Sequence, residues 1–265
     1  MGIDYVIDHS CPVKDELSTG GLVELIKARG RAEMVLSMVR DQGDQRAPAE
    51  ITFRTLLQTP DGVEEKEVSV QELLDQAAAL DTLEHHCDGC PANALGHHFG
   101  CCGYLNYPIK AAAEEWLLAR LPADLNGTAG HLLSVAVQDL EIDGEPIAQM
   151  RQDETFFEAR KPARRRWGGL LARARFELTS DQLLQMMFAV GDVQPSHSAM
   201  VCLFLGVLPH DINPEELRDP TALRQSLASA ELERPGAEDG TGGLLVFIHA
   251  MRVAAVLECD LLVDY

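Results

Sequence analysis

Residues 85–102 read HHCDGCPANALGHHFGCC, which puts four histidines and four cysteines into eighteen positions. Thiolate and imidazole are the side chains that hold borderline and soft transition metals, and Cys87-x-x-Cys90 is a spacing that lets two sulfurs turn toward one point. Gly89 and Pro91 allow the backbone to bend there. The segment is therefore expected as a metal-binding loop between two helices.

The return leg offers Cys101 and Cys102. Adjacent cysteines point in diverging directions, so one of the two is expected as a ligand and the other as a core thiol or as a group that supports a ligand. His97 or His98 can supply a further position, and Cys11, just before Pro12, is the remote candidate. The expected ligand set is thus drawn from Cys11, Cys87, Cys90, His97, His98, Cys101 and Cys102. Histidine richness favours zinc. An iron–sulfur cluster on Cys87, Cys90, Cys101 or Cys102, and Cys11 is the alternative cofactor. Cys90-Pro91 matches the Cys-Pro junction of ferredoxins, although the spacing departs from the ferredoxin run. Thiol–disulfide chemistry on Cys87-x-x-Cys90 ranks third, because the strand-to-helix flanks of such redox motifs are missing.

Seven cysteines, an odd number, argue against a disulfide framework in a chain of 265 residues. Forty-two acidic against 22 basic side chains give a formal charge of -20, which disfavours nonspecific nucleic-acid binding. No apolar run approaches a membrane span, and the first residues lack the basic and apolar stretches of an export signal. A cytoplasmic location is expected.

Periodicity points to an α+β chain in which helix predominates, with an N-terminal strand over 3–8 and a β-hairpin over 50–70 turning at Thr59-Pro60-Asp61-Gly62. Helices are expected over 20–39, 69–80, 109–121, 128–140, 196–208 and 214–227, with Ser69/Glu72 and Thr179/Gln182 as capping boxes. Residues 141–167 read as irregular, and 233–243 as a loop before a last apolar segment. The expected division is an α+β region over 1–122 that contains the loop 85–102, followed by a mainly helical region over 123–265.

Residues 160–175 carry seven basic side chains and no acid. Arg164, Arg165, Arg166 and Trp167 form a candidate patch for an anion or an acidic protein partner, weighed against a patch that neutralises nearby acids of the same chain. Asp8-His9 and Ser196-His197-Ser198 hold catalytic residue types without a third member that spacing identifies. Cys202 and Cys259 read as core thiols, and His249 as a hydrogen-bonded core histidine. Three functions follow: a zinc-binding protein, a metalloenzyme or redox protein using the same cysteines, and an interaction module with a structural zinc.

Overall fold

The computed structural model describes residues 2–59, 62–168, 176–189, 191–232 and 240–263. The architecture is α+β with helix predominating, as the periodicity implies. Among the described residues no helix is long and apolar enough to cross a membrane. The chain divides into two compact units: Ser10–Cys90 is one, and Met1–His9 with Pro91–Tyr265 is the other. The chain opens on β1 (Gly2–Ile7), and the smaller unit is inserted directly after it.

The inserted unit begins with α1 (Pro12–Asp41), which starts well before the expected 20–39. Pro12 sits in the first helical turn, where its fixed φ suits the helix and its missing N–H costs nothing. Ser18 (φ 60°) interrupts the helix, and its Oγ accepts from the Gly21 N–H at 3.2 Å, capping the second stretch. That stretch is the one the apolar periodicity detects. β2 (Thr52–Thr59) and β3 (Gly62–Ser69) pair antiparallel as the expected hairpin, with Pro60 and Asp61 of the turn outside the described residues. Ser69 then caps α2 (Val70–Ala77): its Oγ accepts from the Glu72 N–H at 3.2 Å, and the Glu72 carboxylate accepts from the Ser69 N–H at 3.0 Å. α3 (Ala79–Leu83) follows. A core of Ala32, Ile51 and Val70, with Leu36, Phe53 and Leu73 against it, closes this unit. Arg29 bridges α1 to Asp81 and Glu84 at 2.5 and 2.8 Å.

The larger unit is built on a three-stranded antiparallel sheet in the order β4-β1-β7, where β4 is Cys102–Asn106 and β7 is Leu261–Val263. Between these strands run α4 (Ala111–Ala119), α5 (Thr128–Asp139), α6 (Glu145–Met150), the hairpin β5 (Arg164–Trp167) and β6 (Phe176–Thr179), α7 (Ser180–Phe188), α8 (Pro195–Phe204), α9 (Pro214–Arg218), α10 (Pro220–Ser229) and α11 (Gly242–Leu257). α11 packs on the sheet and on α8, with Phe247 edge-on to the Tyr5 ring at 5.0 Å. Two sequence expectations change. Residues 141–167 are not irregular throughout, since they carry α6 and β5. The helix expected over 214–227 is broken at Pro220, because the proline ring forces Asp219 into an extended conformation (ψ 106°). Asp219 then caps α10 through its own carboxylate.

One buried ionic cluster joins three helices of this unit. Arg151, at the end of α6, donates to Asp181 Oδ1 from Nε at 3.0 Å and to Glu114 Oε2 from Nη1 at 3.2 Å. Ser180 Oγ donates to the same Glu114 carboxylate at 2.6 Å, and Arg151 also reaches the Ala159 carbonyl at 2.7 Å. Burial works against the guanidinium charge, but the Glu114 and Asp181 carboxylates outweigh it and hold the Arg151 pKa above its ordinary value. Removing one partner would strand the others uncompensated. Arg151→Met is therefore expected to lower the unfolding free energy of this unit by about 3–5 kcal/mol, read from urea titrations. A loss below about 1 kcal/mol would show that the cluster contributes little.

Candidate metal centre

Each unit carries one pair of cysteines from the segment 85–102. In the inserted unit, α3 runs into a 3-10 turn over Glu84–Cys87, and the chain then reverses through Asp88 and Gly89. Asp88 has φ -66° and ψ 117°, Gly89 has φ +72°, and the Cys90 N–H donates to the Cys87 carbonyl at 3.2 Å. These angles and this bond define a type II β-turn with the two cysteines at its first and last positions, so their Cα atoms lie within about 7 Å of each other. Glycine is required at the third position because φ is positive there. Cys87 is buried and Cys90 partly exposed. His85 pairs through Nδ1 with the Thr82 carbonyl at 3.0 Å, and its ring lies 3.8 Å from that of His86. Cys11 occupies the N-cap of α1 without a side-chain capping bond, and its carbonyl accepts from the Asp15 N–H at 3.0 Å.

In the larger unit, residues 91–101 fold as successive turns that lead into β4. Phe99 takes a left-handed conformation (φ 58°), its carbonyl accepts from the Cys102 N–H at 2.9 Å, and the Cys101 carbonyl accepts from the Ile7 N–H of β1 at 2.9 Å. The Cys101 and Cys102 sulfurs are 3.9 Å apart and both side chains are buried. The expectation that these neighbours point apart is therefore corrected. Strict alternation belongs to extended chain, and Cys101 lies in the turn before the strand begins. His97 and His98 are exposed, with His97 Nδ1 facing the His98 carbonyl at 2.9 Å. Among the described residues no three His, Cys, Asp or Glu side chains stand close enough together to hold an ion, so the structure brings together pairs rather than the full set.

Next to the Cys101–Cys102 pair, the Tyr5 ring lies over Gly103, so close that a Cβ there would sit 2.3 Å from the hydroxyl. The Tyr5 hydroxyl is buried and has no hydrogen-bond partner among the described residues. Burial, helped by the nearby Cys102, pushes its pKa well above the ordinary phenol value, so it remains a donor.

The basic patch is engaged within the chain. Arg164 and Arg166 both pair with Glu177 across the β5–β6 hairpin, lowering its carboxyl pKa. Arg165 donates to the Leu121 and Pro122 carbonyls beyond α4 at 2.9 and 2.8 Å, and its guanidinium lies over the Trp167 ring at 4.8 Å. Trp167 is buried, with its indole N–H donating to the Pro122 carbonyl at 2.9 Å. Residues 169–175 of the basic stretch lie outside the described residues. No family model, curated protein or solved structure matches the chain. Its chemistry is therefore read from its own residues.

The remaining thiols and histidines sort by environment. Cys202 on α8 is fully enclosed, and burial pushes its thiol up to about 12 against the opposing pull of Arg252, which leaves it protonated. Cys259 is partly exposed, with its sulfur 3.9 Å from the Ala254 carbonyl. His249 accepts from Arg252 Nη2 at 3.1 Å, as expected of a hydrogen-bonded core histidine, and burial followed by the Arg252 charge lowers its pKa. His197 faces the Met186 carbonyl at 2.7 Å, and Gln194 occupies the N-cap of α8. The Glu114–Arg151–Asp181 cluster escapes sequence reading. Its one local trace is Glu114 directly beside the apolar run 111–113.

The Cys87–Cys90 turn makes a measurable demand. Nothing lies within 4 Å of a Cβ added at Gly89, so the cost of Gly89→Ala is that of the left-handed backbone alone, about 1 kcal/mol. Urea unfolding of the inserted unit reads that loss, and unchanged stability would mean that Gly89 does not hold this conformation.

Proposed function

We propose that this chain binds a thiophilic transition metal, zinc in the first instance, through thiolates of the segment 85–102. The observation that carries the reading is the type II turn that sets Cys87 and Cys90 side by side at its two ends. A bidentate dithiolate is the commonest half of a structural zinc site, and a turn closed by its own backbone bond lowers the ordering cost of forming it. The further ligands come from Cys101, Cys102, Cys11, His97 and His98, the set the spacing nominates. A four-ligand zinc would act structurally, since metal binding and folding draw on the same free energy.

An iron–sulfur cluster is the second reading, favoured by the Cys11-Pro12 and Cys90-Pro91 junctions and by the supply of four thiolates from Cys11, Cys87, Cys90 and Cys101 or Cys102. Either ion with an open coordination position would make the protein a metalloenzyme or redox protein.

The test is elemental analysis with a visible spectrum on the full chain, purified without oxygen. About one zinc per chain and a colourless solution are expected. Metal should be lost in C87S/C90S. A brown preparation containing iron and acid-labile sulfide would replace zinc by a cluster. A protein that holds no stoichiometric metal, even after zinc is added under reducing conditions, would overturn the reading.

A further inference from the structure

Resting on the metal-binding reading, we propose that Cys101 and Cys102 bind one ion together, through both sulfurs. Adjacent cysteines would ordinarily be divided into one ligand and one bystander, and the structure removes the reason for that division. The two sulfurs stand 3.9 Å apart. An ion bonded to two sulfurs at ~2.3 Å with a tetrahedral angle between them requires a sulfur separation of about 3.8 Å. A linear two-coordinate ion with bonds of that length would need about 4.6 Å. The pair is thus set for a tetrahedral centre such as zinc or the iron of a cluster, and not for a linear one.

Oxidation of the pair to a mutual disulfide is opposed by the same backbone. Cα atoms of adjacent residues are about 3.8 Å apart across a trans peptide, below the roughly 4.4 Å at which disulfides begin to be found. The backbone around the pair is fixed independently of any ion: Cys102 N–H bonds to Phe99, the Cys101 carbonyl bonds to β1, and Cys102 starts the strand register opposite Val6. The buried Tyr5 hydroxyl lies against Gly103, one residue on, with no acceptor among the described residues.

The experiment counts sulfurs on the full chain loaded with cobalt(II) under reducing conditions, using the thiolate-to-cobalt charge-transfer absorbance. C101S and C102S are each expected to remove one sulfur's share of that intensity, and C101S/C102S two shares. Full intensity in either single variant would overturn the inference while leaving the metal-binding reading intact. Wild-type protein that takes up neither cobalt nor zinc would overturn both. Since serine in a buried position can unfold the chain, the unmutated protein gives a second measure. Iodoacetamide labelling, resolved by fragmentation of the peptide that carries both residues, should be slow at Cys101 and Cys102 with zinc bound and faster after chelation. Burial alone predicts equal rates in the two states, and equal rates at either residue would sink the claim.

Discussion

A guanidinium enclosed between two carboxylates constrains the larger unit more tightly than any single apolar contact. Glu114 comes from α4, Arg151 from the end of α6 and Asp181 from the first turn of α7, so the charges can meet only if all three helices are in place. Taking such groups out of water costs several kcal/mol per ion, and that cost is offset only when the geometry is good and the remaining lone pairs are satisfied. Here Ser180 and the Ala159 carbonyl complete the hydrogen bonding, and the Phe157 ring lies 4.1 Å from the guanidinium carbon. An apolar contact tolerates sliding, whereas a network of this kind has one satisfied arrangement. Thr179 and Gln182, which cap α7, fix the helix start from which Asp181 projects.

Features set by neighbours in sequence were legible. Both capping boxes form, the hairpin pairs Thr59 with Gly62 as its turn residues imply, and the N-terminal strand runs almost where its alternation places it. Each of these is decided within a few residues by hydrogen bonds the local chain makes to itself. The start of α1 was missed because residues 12–19 carry few apolar positions, and its signals are instead Pro12 and an internal cap at Ser18. The break at Pro220 was written in the sequence and lost to an apolar periodicity that carries on past it. The ionic cluster was not legible at all. Arg151 lies 37 residues from Glu114 and 30 from Asp181, and no spacing rule links one helix's glutamate to another's arginine.

The candidate centre divides along the same line. Cys87-x-x-Cys90 was readable because the turn needs only its own four residues and a glycine at the third. The sulfurs of Cys101 and Cys102 do not diverge as adjacency suggests, because alternation belongs to strands and Cys101 lies in the turn before β4 begins. Cys101 lies in the turn that the left-handed Phe99 closes through its carbonyl on the Cys102 N–H, and its own carbonyl is tied to Ile7, a residue of β1 that the inserted unit separates from β4 by most of a hundred positions. The boundaries of the insertion fall at His9–Ser10 and Cys90–Pro91, the second inside the segment richest in cysteine and histidine.

The thiols also differ in what their backbones permit. Burial of Cys202 outweighs the pull of Arg252, so its thiol stays protonated and packs as a small apolar group. Cys87 and Cys90 close a four-residue turn, and a Cα separation within about 7 Å suits a disulfide as well as a shared ion. Cys101 and Cys102 are too close along the backbone for a relaxed disulfide, yet their sulfurs stand at a chelating distance. A disulfide is therefore open to the first pair and strained at the second.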